Sequence, residues 1–247
     1  MTKSSETGHA KNMANLESLI TSISTFGDQY NPSKESIKLA SLQTLLSGTK
    51  ESFNAHYAAQ SAYGKAVDFR ESVFEPLSKL ITRINNALKA SDSSTKSDET
   101  IQTIFRKLQG RRASAKLTEE EQQALASEGT PKKQISTAQM SYDSRLENFD
   151  KLIIYLADIP EYMPNEEDLK VETLKTMSTK LKSANSAVVA AYIALDRARA
   201  DRNAILYQPL TGLVDRASDS KSYIKSVYGT GSKEYKQVSN LYFENRI

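Results

Sequence analysis

Two histidines, His9 and His56, carry all the imidazole in 247 residues, and the chain has no cysteine. Residue type alone therefore excludes a thiolate zinc site, a Cys nucleophile and a disulfide framework. Imidazole ligation of a metal needs partners at ligand spacing, such as the Glu-x-x-His pairs of di-iron bundles. Neither histidine has a Glu or His so placed on its own helix. Serine is abundant, but two histidines make no Ser-His-acid set, and the sequence has no G-x-S-x-G turn or phosphate loop. Carboxylates are spread as solvated helix faces and i,i+4 partners of Lys and Arg. The expectation is a non-enzymatic protein with no catalytic residue, no cofactor and no metal.

Three segments could make contacts rather than bonds. Arg106, Lys107, Arg111, Arg112 and Lys116 place five cations within twelve residues and no acid among them, which would suit nucleic-acid phosphates or an acidic partner. Aromatic interleaving is limited to Phe105, and Glu119 to Glu121 follow closely, so an exposed linker helix is the favoured reading. Ala187 to Leu195 is the longest apolar run and could form a membrane-active patch of a pore-forming helix. Its place within a regular seam favours bundle core instead. The tail from Gly229 to Ile247 carries Tyr235, Val238, Leu241, Tyr242 and Phe243, which predicts a segment that docks on the bundle or on a neighbour.

These side chains need elements to hold them, and composition says which. Nine Gly and six Pro amount to about half of the usual share of roughly 12%, so turns are few and helices long. Lys plus Arg is 33 against 30 for Asp plus Glu, a net charge of +3 with no strong bias toward one class of partner. From Asn165 to Tyr207 no Gly or Pro occurs. Leu174, Met177, Leu181, Ala184, Val188, Ala191, Leu195 and Ala198 recur there in steps of three and four. That is a heptad seam on one long helix.

The first half of the chain repeats this plan. Asn15 to Ile20 matches Asn148 to Ile153, and Tyr30-Asn31-Pro32 matches Tyr162-Met163-Pro164 at a spacing of 132. Phe74-Glu75-Pro76-Leu77 matches Tyr207-Gln208-Pro209-Leu210 at a spacing of 133, and Ile101, Ile104 and Phe105 resemble Ile224, Val227 and Tyr228 once about ten residues of the polar stretch from Ala90 to Asp98 are taken as an insertion. The reading is a tandem duplication. Each copy has a short helix (12–26 and 138–158), a Tyr-x-Pro turn, a long helix (33–75 and 165–207) and, past a proline, a further helix (77–90 and 209–228). At Pro76 and Pro209 the spacing allows either a kink or a reversal.

The expected fold is all-α: an elongated antiparallel helical bundle, coiled-coil-like, built from two tandem duplicated helical units. Its parts are a disordered start (1–11), unit 1 (12–90), a polar charged linker (91–136) with a short helix at 98–108, unit 2 (137–228) and a docking tail (229–247). The first 15 residues hold no apolar core after a charged start, so no signal peptide is read and a cytoplasmic location is expected, with export by another route left open. No apolar run approaches the roughly 20 residues of a membrane span.

Whole segments resemble a family of uncharacterised bacterial helical proteins. The matching residues are Asn148 to Ile153, Ile159-Pro160-Glu161-Tyr162, Pro209 to Asp215, Arg106 to Ser114, Ser226 to Gly229 and Glu234 to Val238. The resemblance covers most of the chain and implies a shared fold; it carries no activity, cofactor or site residue. The function expected is structural or adaptor-like, with self-association or protein binding through long helix faces and the tail. Nucleic-acid association through 106–116 and membrane activity are the alternatives.

Overall fold

The computed structural model describes residues 8–91, 95–111 and 140–245, and among them every regular element is helical. In chain order these are α1 (His9–Ser24), α2 (Leu39–Phe74), α3 (Leu77–Lys89), α4 (Thr95–Leu108), α5 (Tyr142–Ala157), α6 (Val171–Tyr207), α7 (Leu213–Tyr228) and α8 (Lys233–Ser239). The all-α class is as the sequence implies. The two long helices start six residues later than expected, because Glu35–Ile37 and Glu167–Leu169 form 3-10 turns first. At the other end of the chain α1 starts at His9, inside the stretch expected to be disordered.

Two compact units result. One combines Met1–Gly64 with Ala191–Ile247, the other is Lys65–Ala190. Each therefore draws on both of the stretches that match in sequence. In the first, α1, α7 and α8 pack together, and Leu16, Leu19, Ile23, Leu42, Leu206, Leu213 and Ile224 fill the core. Gly48 of α2 lies beside Ile205 of α6, His56 beside Arg202 and Tyr63 beside Tyr192, so the long helices run antiparallel there. In the second unit α3, α4 and α5 pack together around Phe74, Leu77, Ile84, Phe105, Phe149 and Leu174. The seam of α6 behaves as its spacing requires: Leu174, Leu181, Ala184, Val188 and Leu195 are buried and Met177, Ala191 and Ala198 half-buried.

The two stretches that match in sequence give similar local structure. Asn15, Leu16, Leu19, Ile20 and Ile23 of α1 are buried, as are Asn148, Phe149, Leu152, Ile153 and Leu156 of α5, each 133 positions on. The Tyr30 hydroxyl donates to the carbonyl of Ile37 at 2.7 Å, and that of Tyr162 to the carbonyl of Leu169 at 2.9 Å. Both phenols thus tie the Tyr-x-Pro turn to the 3-10 turn seven residues later.

Burial, and then the nearby charges of Asp168 and Glu166, push the Tyr162 hydroxyl up to about 12. A folded-state value above the ordinary 10 means that the unfolded chain loses this proton first. The stabilisation is then complete below pH 10 and is lost as pH rises toward 12. Tyr162→Phe is expected to cost about 1 kcal/mol at neutral pH. It should also flatten the loss of stability above pH 10, and urea midpoints at neutral pH and at about pH 11 check this. An alkaline loss unchanged by the substitution would contradict it.

The two proline bends differ, and the helix expected at 209–228 starts later than the sequence implies. Pro76 keeps helical backbone angles and the Leu80 N–H donates to its carbonyl, so α2 bends into α3 with little interruption. After α6 the helix stops. Leu210 adopts φ 67°, a left-handed conformation costing an L-residue roughly 1–2 kcal/mol, and its N–H is held by Asp215 Oδ2 at 2.7 Å. α7 begins at Leu213, not at 209. A Cβ on Gly212 would come within 2.7 Å of the Gln208 backbone, so only glycine allows this close return of the chain. As a result the buried set of α3, Leu77, Ile81, Ile84 and Leu88, matches that of α7, Leu213, Ala217, Ser220 and Ile224, at a spacing of 136. The helix that packs against α3 and α5 as α8 packs against α7 and α1 is α4. Ile101, Ile104 and Phe105 are therefore counterparts of the tail segment, not of Ile224, Val227 and Tyr228.

Candidate functional site

Both histidines line one cleft of the first unit, with a volume of about 560 Å³. The first turn of α1 brings His9, Ala10, Lys11 and Ala14 to it, α2 brings Phe53, His56 and Tyr57, and α6 brings Arg202. α1 starts on Gly8, which provides no side-chain cap, and the positive end of its dipole adds to the cations there. His9 Nδ1 lies 2.6 Å from the Tyr207 hydroxyl, with the rings 5.5 Å apart. Asn12 fixes this corner by donating to the carbonyl of Glu244 at 2.8 Å and accepting from its N–H at 3.1 Å.

His56 is 9% exposed. Its Nε2 is 3.4 Å from Arg202 Nη1, and a guanidinium only donates, so Nε2 is the accepting nitrogen and Nδ1 carries the proton. That N–H is buried with no hydrogen-bond partner. Burial first, then the charges of Arg202 and Arg199, hold the imidazole below its usual pKa, so the ring is neutral at pH 7. The other edge of Arg202 grips Asn203 Oδ1 through Nε at 3.3 Å and Nη2 at 2.9 Å.

Sequence reasoning took the two histidines one at a time and found neither placed for chemistry. The pairing was invisible because α1, α2 and α6 meet only through packing. A signal was nevertheless present in the repeat. The positions matching His9, Asn12, Asn203 and Tyr207 are Tyr142, Arg145, Arg70 and Phe74. In the second unit these form an edge-to-face cluster: Phe74 and Tyr142 rings 4.8 Å apart and near perpendicular, Arg70 4.0 Å over Tyr142 and Arg145 5.3 Å over Phe74. Where one copy packs rings under guanidinium groups, the other has polar side chains around an opening. A second cleft of about 520 Å³ lies beside the Tyr162 turn, where Arg83 is already paired with Asp168 and Glu161 and Glu166 stand nearby.

The expected contact residues scatter. Arg106 and Lys107 occupy the last turn of α4 and Arg111 follows it, while Arg112 and Lys116 lie outside the described residues. Gly110 (φ 65°) closes α4 with the Gly110 N–H on the Lys107 carbonyl and the Arg111 N–H on the Arg106 carbonyl, a Schellman cap. Cations at that end complement the helix dipole and need no external partner to account for them. The helix itself is no loose linker piece: Ile101, Ile104, Phe105 and Leu108 belong to the core of the second unit.

In the tail, Tyr235 and Phe243 pack on the first unit's core around fully buried Val238, and the Tyr242 ring is 76% exposed while its carbonyl accepts from Asn15 Nδ2. Lys221 donates to the carbonyls of Ser239 and Leu241. The apolar run on α6 divides between two faces. Val188 and Leu195 are buried, whereas Val189, Tyr192 and Ile193 are 58, 51 and 62% exposed.

Among the described residues no group of three or more His, Asp or Glu side chains is placed to hold a metal, and no helix is long and apolar enough to cross a membrane. Comparison with family models, curated proteins and solved structures finds no match.

Proposed function

We propose that the chain is a non-enzymatic helical scaffold that associates, with a second copy or with another helical protein, through the outer face of α6. The observation that supports this reading is the exposure of Tyr192 and Ile193 on a helix whose seam residues Leu181, Ala184, Val188 and Leu195 are already buried. Adjacent exposed apolar side chains on an otherwise solvated helix form the anchor of a helix-in-groove contact. The tail is a weaker candidate for this role, since Val238, Leu241 and Phe243 are spent on its own core.

Light scattering on the wild type and on Tyr192→Glu/Ile193→Glu tests the reading. The expected result is a concentration-dependent dimer that the double substitution returns to monomer. Two charges opposed to an apolar surface weaken such an interface by a hundredfold or more, on the order of 3 kcal/mol. A wild-type monomer at high concentration that also captures no helical partner would overturn it.

A further inference from the structure

We propose that the cleft between the start of α1, α2 and the end of α6 is a binding site for a small organic anion, one with a phosphate or carboxylate head and an apolar body. The argument is independent of the α6 face. Lys11 and Arg202 supply two cations at the cleft, Arg202 held by Asn203, and the α1 N-terminus adds the positive end of a dipole. No Asp or Glu lines it among the described residues. Positive charge around a concavity that no described acid lines is what an anion neutralises.

A second and separate observation points the same way. His56, nine-tenths buried in the cleft wall, has a ring N–H with no acceptor. A buried donor without a partner is costly, and because His56 lines the cleft a small turn of its ring would bring that N–H to a ligand oxygen. Phe53 and Tyr57, with rings 6.2 Å apart, make the remaining wall apolar, which fits a ligand with a ring or short aliphatic body better than a bare ion. The counterpart positions in the second unit are filled differently: there Tyr142 and Phe74 pack edge to face and Arg70 and Arg145 lie over them.

The chain's two imidazoles make the test direct, because both line the cleft and a His9→Gln variant assigns their resonances. Phenyl phosphate, benzoate and inorganic phosphate are titrated into the full chain and the two imidazole signals followed by NMR. Phenyl phosphate is expected to shift both signals saturably, with benzoate weaker and inorganic phosphate weakest. Lys11→Gln, at an exposed position, should weaken phenyl phosphate roughly tenfold without disturbing the fold, and Arg202→Gln should do at least as much. Absence of a saturable shift of both signals with any of the three overturns the site. Unchanged affinity in both variants also overturns it, and inorganic phosphate binding as tightly as phenyl phosphate overturns the role of Phe53 and Tyr57.

Discussion

Phe105→Ala is expected to destabilise the second unit by about 3–5 kcal/mol, the cost of emptying a fully packed aromatic position. Phe105 is 1% exposed and packs with Ile101, Ile104 and Leu108, the inward face of α4, against α3 and α5. If α4 were a solvated helix within a linker, the same substitution would cost a few tenths of a kcal/mol, within the scatter of surface changes. Urea unfolding followed by circular dichroism separates the two outcomes. Arg106→Ala, one residue along and half-buried at the cap, is the control and should stay near about 1 kcal/mol. Equal small losses in both variants would remove α4 from the core.

Ending the chain at Gly229 is expected to cost the first unit about 5 kcal/mol. Burial of Val238 contributes about 1.5–3 kcal/mol, and orphaning the buried amides of Asn12 and Asn15 adds roughly 1–3 kcal/mol each. Those amides lose the carbonyls of Glu244 and Tyr242, and Lys221 loses two more. Hydrogen exchange of α1 amides reports the effect locally, and their protection should fall by several hundredfold or more. Protection unchanged by the truncation would show that the tail rests on the surface without holding it. Light scattering on the same protein distinguishes this from a role in association, since the α6 face is untouched.

Much of this architecture is written in local pattern. The seam from Leu174 to Ala198 is buried or half-buried along its length, and the Tyr-x-Pro turns and the C-terminal ends of both long helices fall where spacing puts them. Local pattern failed at Pro209. A proline after a bulky pair reads as the first residue of a helix, and nothing nearby announces that Leu210 adopts a left-handed backbone and delays α7 to Leu213. It failed again at α4, whose apolar positions were readable as one amphipathic face but whose destination against α3 and α5 is set by packing far along the chain. The cleft was illegible for the same reason, since His9, His56 and Arg202 are separated by 47 and 146 positions. Burial of the unpartnered His56 N–H belongs to tertiary structure and leaves no trace in spacing.

The division at Gly64 and Ala190 has a kinetic meaning. The core around Leu16 and Leu19 is closed by Leu206, Leu213, Ile224 and Val238, some 190 or more positions later, so its contacts have very high sequence separation. Loop closure on that scale must come before the contacts that reward it, which slows folding relative to helical proteins built from neighbours. During synthesis the second unit, continuous from Lys65 to Ala190, can condense as it emerges, and α1 must wait with its apolar face uncovered until the last helix has left the ribosome. The stretch from Lys65 to Ala190 thus matures first, and α1 finds α7 and α8 last.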